Sequence, residues 1–301
     1  MNQTHHLNRP LTSYFPQDFM PERHLLGELL RFAAGGGTGD KEAISTQTGI
    51  PTGKSTGKVE PMIRYAWAMG LIDAAKDQGE WELSLTPLGR TVHHEDLFMN
   101  EPLTLWLLHL MISRRFRAEH PATGIADAWY TLFAEGATLL GRQFHEQDLH
   151  RVLVQRYGEK DYLKRLSTLI PRMYIESGSF GEARILTRDD QAADGSSDSS
   201  PRLVRQPAPT DSAFYPAYAV YLYILWDELF GPDYSQLDFS ELAQISKLRS
   251  LLWWEETQVN DWLEWIANRG WIQIDRYTGS AMLLRLSSTE HLLDELYGEL
   301  V

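Results

Sequence analysis

The most suggestive chemical motif in the chain is Gly53-Lys54-Ser55, which has the form of the end of a phosphate-binding loop. A Walker loop has four residues between its first glycine and its Gly-Lys-[Ser/Thr] end. Here the preceding glycine is Gly49, so three residues intervene, and no strand-like apolar run leads into the segment. These departures disfavour a nucleotide-binding loop.

The same turn suits a different phosphate, that of a DNA backbone. Amide groups at a helix N-terminus bind anions, and Lys, Ser and Thr side chains commonly contact DNA phosphates. Arg64 and Tyr65 lie on the predicted outward face of the next helix, where they would approach a groove of the DNA. The candidate DNA-binding residues are therefore Lys54, Ser55, Thr56, Lys58, Arg64 and Tyr65. The alternative is a solvated turn, with Arg64 paired to Glu60 on the helix surface.

Patterns that support catalysis are missing from the sequence. The chain has no cysteine, which excludes thiolate metal sites and cysteine nucleophiles. His145 and His150 are separated by about 140° on a helix, so they do not share a zinc-binding face. None of the seven lysines follows an Asp or Glu by two positions, as the Asp/Glu-x-Lys pattern of restriction-type nucleases requires. We expect no catalytic residue, no metal site, no cofactor and no enzymatic activity.

The charge of the chain confines any nucleic-acid contact to a small region. The net charge is -13 with a pI near 5.2, which weighs against a protein whose whole surface binds a polyanion. Residues 226–301 contain 14 Asp and Glu against five Lys and Arg, whereas residues 102–172 contain ten basic and seven acidic residues. The acidic excess therefore lies mainly at the C-terminal end.

The N-terminal pattern is that of a winged helix-turn-helix. Apolar residues at helical spacing predict helices over Pro21–Ala34 and Lys41–Thr48, with Asp40 as the N-cap of the second and Gly49 as its stop. A third helix begins near Lys58, because its apolar residues recur at helical spacing from Val59 to Leu71 and Pro61 fits only a first turn. A hairpin over 72–76 and 81–85 follows and forms the wing.

A second, more acidic unit of the same kind is predicted near the C-terminus. A helix over Thr257–Arg269 precedes a hairpin over 271–276 and 281–286. Carboxylates and tryptophans accompany this helix, namely Glu255, Glu256, Asp261, Glu264, Trp253, Trp254 and Trp265. Negative charge repels DNA phosphates, so this unit suits protein recognition, although core packing is the commoner reason for a tryptophan.

The fold class expected from these elements is mainly α, with two winged helix-turn-helix-like units and small β-hairpin wings. A helical middle region joins the two units. The predicted divisions are a winged helix over 20–99, the helical region over 100–175, a loop or flexible linker over 176–210, and the helical and acidic unit over 211–301. The linker prediction rests on the polar, low-complexity sequence between Asp189 and Thr210.

Several segments of the chain closely resemble one bacterial family, domain of unknown function 4007. The segments that carry the resemblance are residues 49–57 leading into 62–72, Leu85-Thr-Pro-Leu-Gly89, Pro102-Leu-Thr-Leu-Trp-Leu-Leu-His109 and Ala128-Trp-Tyr-Thr-Leu-Phe133. Asp18-Phe-Met-Pro-Glu-Arg-His24 departs from the family pattern, and so does the chain after Tyr174. The resemblance implies an accessory component encoded beside bacterial DNA-modification and anti-phage defence genes, including phosphorothioation-type systems. No catalytic residues carry over, because none are defined for the family.

The function expected from the sequence is that of a non-enzymatic DNA-binding adaptor in such a system. Its N-terminal winged helix would contact double-stranded DNA, and its C-terminal unit would contact protein partners of a defence or DNA-modification complex. The alternatives are a protein scaffold without DNA binding and a winged-helix transcriptional regulator, which would act as a homodimer. The sequence has no signal peptide or membrane-spanning pattern, so a cytoplasmic location and no membrane association are expected.

Overall fold

The computed structural model describes residues 15–53, 56–114, 127–189, 201–276 and 281–300. It is mainly helical, with 56% helix and 14% strand, and its strands form small antiparallel sheets. The predicted mainly α class is therefore confirmed at this level.

The first unit has a three-stranded sheet against three helices. Its elements are α1 (Arg23–Ala34), β1 (Gly37–Gly39), α2 (Lys41–Thr48), α3 (Val59–Ala68), β2 (Ile72–Asp77) and β3 (Glu80–Leu85). The strand order is β1-β3-β2, with every pair antiparallel. As predicted, the Asp40 side chain accepts a hydrogen bond from the Ala43 amide at 2.8 Å, and Gly49 ends α2 with φ of 72°.

Strand β1 was not predicted, because its Gly-Thr-Gly sequence is typical of a helix stop. Gly37 pairs with Leu83 of the hairpin, directly beneath the aromatic ring of Phe32. A Cβ atom at Gly37 would lie 2.3 Å from that ring, so only glycine allows the strand to pass.

Two helices connect the first unit to the rest of the chain: α4 (Pro87–Glu95) and α5 (Pro102–Ile112). Every residue of α5 after Pro102 is buried. A helix that is apolar all round belongs inside a protein, and α5 accordingly packs against α3 and the first helix of the third unit.

The middle of the chain forms a second unit with a sheet of its own. Its elements are α6 (Asp127–Tyr130), a π-helix (Thr131–Glu135), α7 (Gly136–Leu139), β4 (Gln143–Phe144), α8 (Glu146–Tyr157), α9 (Leu163–Met173), a 3-10 turn (Gly181–Ala183), β5 (Leu186–Asp189) and β6 (Arg202–Arg205). The strand order is β4-β6-β5.

The second unit adds the short strand β4 to the predicted helical middle region over 100–175, and it corrects the prediction of a linker over 176–210. Strands β5 and β6 lie within the predicted linker and pair over four residues each, while residues 190–200 lie outside the described part of the chain. Strand β6 was not predicted because it has only four residues. Its buried positions alternate, but one of them is occupied by an arginine, so the sequence shows no alternation of apolar and polar residues. Burial of Leu203 and Arg205 anchors it to the helices.

The buried guanidinium of Arg205 explains how the π-helix is tolerated. A π-helix displaces backbone carbonyls from their usual i to i+4 partners. Arg205 donates to two of these carbonyl oxygens, Leu132 O at 3.3 Å and Phe133 O at 2.7 Å, and to Ser250 O of the third unit at 3.0 Å. The second and third units are thereby joined through one side chain.

The third unit contains the predicted C-terminal helix and hairpin. Its elements are a 3-10 turn (Ser212–Phe214), α10 (Tyr215–Phe230), β7 (Gln236–Asp238), α11 (Phe239–Ser246), α12 (Leu248–Leu252), α13 (Glu256–Asn268), β8 (Ile272–Asp275) and β9 (Met282–Arg285), followed by α14 (Thr289–Asp294) and a 3-10 turn (Gly298–Leu300). The strand order is β7-β9-β8, and the hairpin turn over 277–280 lies outside the described residues.

The three units share one order of elements, whereas the sequence predicted only two such units and neither of their short strands. Each has a helix, a short strand, a pair of helices and a hairpin, and in each sheet the short strand pairs with the second hairpin strand. The third unit differs by inserting α12 between its paired helices. One buried apolar cluster runs through all three units.

Candidate nucleic-acid interface

The turn between α2 and α3 is held in a tight conformation by its own backbone. The Lys58 amide donates to Pro51 O at 2.8 Å, and the Lys41 ammonium donates to Gly53 O at 3.1 Å. A Cβ atom at Gly57 would lie 2.6 Å from the Thr52 hydroxyl, so the turn requires glycine there. Thr56 is exposed, while the predicted contacts Lys54 and Ser55 lie outside the described residues.

Lys58 has a carboxylate partner in the folded chain. Its ammonium group pairs with Glu22, immediately before α1, and lies 5.9 Å from the centre of the Phe19 ring. The Lys58 side chain is 28% exposed. A DNA phosphate at this position has to compete with Glu22 for the ammonium group.

The prediction that Tyr65 lies on an outward face is wrong. Its side chain is 0% exposed, and its hydroxyl donates to Phe19 O at 3.1 Å. The Tyr65 ring meets Phe15 and Trp129 edge to face, with ring centres 4.9 and 5.8 Å away. Tyr65 is therefore part of the core between the first and second units.

Helix α3 as a whole is covered, although its sequence gave it an outward polar face. Arg64 is half-buried, and no residue from Val59 to Ala68 is exposed. The expected pair between Arg64 and Glu60 does not form, because Glu60 pairs with Lys76 of β2. A helix that enters the major groove must present a free face, and α3 does not present one in this conformation.

The surroundings of the turn also contain acidic groups. A groove beside α2, the turn and the hairpin is lined by both signs of charge, including Asp40, Glu42 and Glu60 with Lys41 and Lys76. The lysines here lie among carboxylates, so the local field is weaker than the lysine positions alone suggested.

Arg114, Arg115 and Arg117 form a basic cluster in the sequence, and arginines usually lie on the surface. Arg114 is instead buried, and its guanidinium donates to Ala68 O at 2.9 Å and to Met111 O at 2.6 Å. Arg115 and Arg117 lie outside the described residues. Arg114 is thus a structural residue that joins the end of α5 to the C-terminal end of α3.

The C-terminal helix α13 keeps the acidic outward face that its sequence predicted. Glu256, Asp261 and Glu264 are exposed on this helix, and Glu264 pairs with Arg276 at 2.7 Å. Most of the apolar surface is not available for recognition, because Trp254 is buried and Trp265 packs edge to face against Trp271. The exposed face of α13 is therefore acidic and polar.

Solved structures of SspB have the same overall fold as this chain. A magnesium ion-bound SspB crystal structure aligns with a TM-score of 0.65 and 18% sequence identity, covering 95% of this chain and 87% of that chain. A second SspB crystal structure aligns with a TM-score of 0.64 and 17% identity over the same shares. At this identity the likeness establishes the fold. No protein-family model matches the chain, and no curated protein matches it.

The described residues contain neither a metal-binding cluster nor a membrane-spanning helix. Within the five described ranges, no group of three or more His, Asp or Glu side chains is arranged to hold one metal ion. None of the helices in the same ranges combines the length and apolar character needed to cross a membrane.

Within the helical middle region, the sequence predicts helices over 148–157 and 160–174, where α8 and α9 lie, but it does not mark them as a candidate site. One signal was present, because basic residues outnumber acidic ones in residues 102–172. The prediction of a linker over 176–210 concealed the hairpin that follows α9 and completes the pattern.

Proposed function

We propose that this chain is an accessory protein of a bacterial DNA-modification or anti-phage defence system, and that it binds double-stranded DNA. The observation that carries the proposal is the threefold repetition of helix, strand, two helices and hairpin, each with the same strand order. This order supports the assignment of each unit as a winged helix-turn-helix, a module that binds duplex DNA or docks proteins.

The phosphorothioation-type setting is supported by two separate lines. The resemblance of residues 41–133 to domain of unknown function 4007 implies such a setting, and the fold agrees with that of SspB over 95% of the chain. The family membership itself remains a prediction, since it rests on motifs alone.

Within this proposal the turn before α3 contacts DNA backbone phosphates. Thr56 is exposed and Lys58 is partly so, and Lys54 and Ser55 complete the polar sequence. Arg64 and Tyr65 no longer belong to the contact, because α3 has no exposed residue. The contact fixes the position of the protein without reading bases.

The third unit contacts a protein partner through the acidic face of α13 in this proposal. Glu256, Asp261 and Glu264 repel phosphates and suit a basic protein surface. The same features support the second candidate function, a scaffold that binds proteins and no DNA. A transcriptional regulator is a third, and it requires a homodimer on paired half-sites.

The proposed role is non-enzymatic and uses no cofactor. A direct test is incubation of the purified chain with supercoiled plasmid and Mg²⁺. Nicking that co-purifies with the wild-type protein through successive columns would overturn this part of the proposal, and intact plasmid supports it.

The DNA-binding proposal is tested by titrating a labelled duplex of about 20 base pairs with the protein at several salt concentrations. Binding through phosphates weakens steeply with salt, with a slope of about -0.9 per phosphate contact in a plot of log K against log salt. Absence of binding at low salt favours the scaffold. A strong preference for one palindrome favours the regulator.

A further inference from the structure

The last α-helix before the hairpin occupies the same point of the shared topology in all three units, and these three helices differ in their surfaces. Helix α3 has no exposed residue, and the exposed charged residues of α13 are all acidic. On α9 the exposed charged residues are Lys164, Arg165 and Arg172, and all are basic. We propose that α9 of the second unit is the helix that faces duplex DNA.

The basic residues of α9 share one side of the helix. At 100° per residue, Lys164, Arg165, Thr168 and Arg172 fall within an arc of about 100°. The opposite side is apolar and buried, as at Leu166 and Ile170. Helix α9 thus has a packed face and a basic face, the division that a recognition helix needs.

The basic face can exchange its present partners for phosphates. Arg165 pairs with Asp18 at 2.8 Å and Arg172 with Glu176 at 2.7 Å, and all four side chains are at least 42% exposed. Exposed ion pairs of this kind contribute about 0 to 1 kcal/mol each to stability, so they do not hold the guanidinium groups firmly in place. Lys164 has no ion pair with the described residues.

Further cations lie on the elements that follow α9. Arg184 precedes β5 and Arg188 lies within it, and both are exposed and form no ion pair within the described ranges. In the shared topology these residues lie at the start of the hairpin. A winged helix uses this hairpin beside the recognition helix, so helix and hairpin would carry charge of the same sign.

Acidic groups limit this surface on one side. The groove between α8 and α9 contains Glu146 and Glu159 as well as Lys164 and Arg151. Glu146 accepts a hydrogen bond from the Thr168 hydroxyl at 3.1 Å. Glu146 and Glu159 lie toward α8, while Asp18 and Glu176 pair with the two arginines, so we place the duplex against the side of α9 that carries Arg165 and Arg172 and not in the groove.

The inference rests on the proposed DNA binding, but it predicts a contact on α9 that is separate from the contact at the turn before α3. The test compares the double variant Lys164→Glu/Arg172→Glu with the control Arg31→Glu/Arg90→Glu, which has the same charge change on exposed residues of α1 and α4. Both are titrated with the same labelled duplex. The α9 variant should lose at least tenfold in affinity and reduce the salt slope by about 2, whereas the control should lose at most about threefold.

The outcomes separate the two proposals. If wild-type protein does not bind the duplex at low salt, the proposed function fails and the inference fails with it. If wild-type protein binds and the α9 variant matches the control, only the inference is overturned. The milder variant Lys164→Gln/Arg172→Gln, checked by circular dichroism and thermal unfolding, gives the same comparison should the charge reversal disturb folding.

Discussion

The guanidinium of Arg114 and the carboxylate of Glu228 form an ion pair, with Nη2 and Oε1 3.1 Å apart. Arg114 follows α5 and Glu228 belongs to α10, so the pair joins the connecting helix to the third unit. Because Arg114 also donates to Ala68 O at the end of α3, one buried cation links three helices that are distant in sequence.

We expect Arg114→Met to lower the free energy of unfolding by about 3 kcal/mol. The substitution leaves the buried Ala68 and Met111 carbonyls without their donor and removes the partner of the partly exposed Glu228, and loss of several contacts of a buried cation is costly. Urea denaturation followed by tryptophan fluorescence measures the loss. The matched control is Arg31→Met, which removes an exposed pair with Glu28 and should cost about 0.5 kcal/mol or less. Equal losses in the two variants would contradict this account of Arg114.

Glu22→Gln should strengthen DNA binding if the turn before α3 contacts a phosphate. The change removes a negative charge and releases Lys58 from its carboxylate partner. Because an exposed ion pair of this kind is weak, its release should raise the affinity for DNA by about two- to fivefold. The control is Glu28→Gln, which removes the same charge from α1. An equal effect of both variants, or none, would remove this turn from the DNA contact.

Tyr65→Phe should leave DNA affinity unchanged while lowering stability by about 1 kcal/mol. The Tyr65 hydroxyl makes one buried hydrogen bond, to Phe19 O, and the ring is inaccessible to a ligand. Duplex titration and urea denaturation of the same preparation measure the two effects. A large loss of affinity at unchanged stability would restore Tyr65 to the DNA interface.

The stability of the chain should fall as pH decreases below about 6.5, in part because of His109. Burial, and the nearby positive charge of Arg205, lower the pKa of His109 well below its usual value. The unfolded chain therefore takes up a proton that the folded chain does not, and each pH unit costs about 1.4 kcal/mol. The contribution of His109 is fully present above the unfolded pKa and is lost as pH falls.

The variant His109→Asn isolates this contribution, because asparagine retains a polar partner for the Tyr174 hydroxyl, which lies 2.9 Å from Nδ1. Unfolding free energies of both proteins are compared between pH 5 and 8. The difference between them should change with pH below about 6.5, and a constant difference would show that His109 titrates normally.

Alkaline pH should destabilise the chain through its buried tyrosines. Burial raises the pKa of Tyr174 and of Tyr218 well above the usual value. Both phenols stay neutral in the folded chain, while the unfolded chain ionises above about pH 10, so stability falls as pH rises from there. Absorbance at 295 nm should show a group of tyrosines that ionises only as the chain unfolds. Full ionisation in the folded state would contradict their burial.

Much of the first unit was predictable because its signals are local. Asp40 caps the N-terminus of α2, and Gly49 ends the helix in a left-handed backbone conformation. Both effects depend on a few neighbouring residues. The hairpin over 72–77 and 80–85 followed from alternating apolar residues around a short turn. Strands β1 and β6 were missed because short strands with Gly or Arg carry no periodic signal of their own.

Sequence alone thus determined the helical class, the helix followed by a hairpin in the first and third units and the acidity of α13, since each follows from spacing or composition. Only the tertiary structure decided which faces are free. Tyr65 is buried because Trp129, far along the chain, packs on it, and the covering of α3 comes from such non-local contacts. In α9 only one side is covered, because its apolar side meets the core while its lysine and arginines meet solvent.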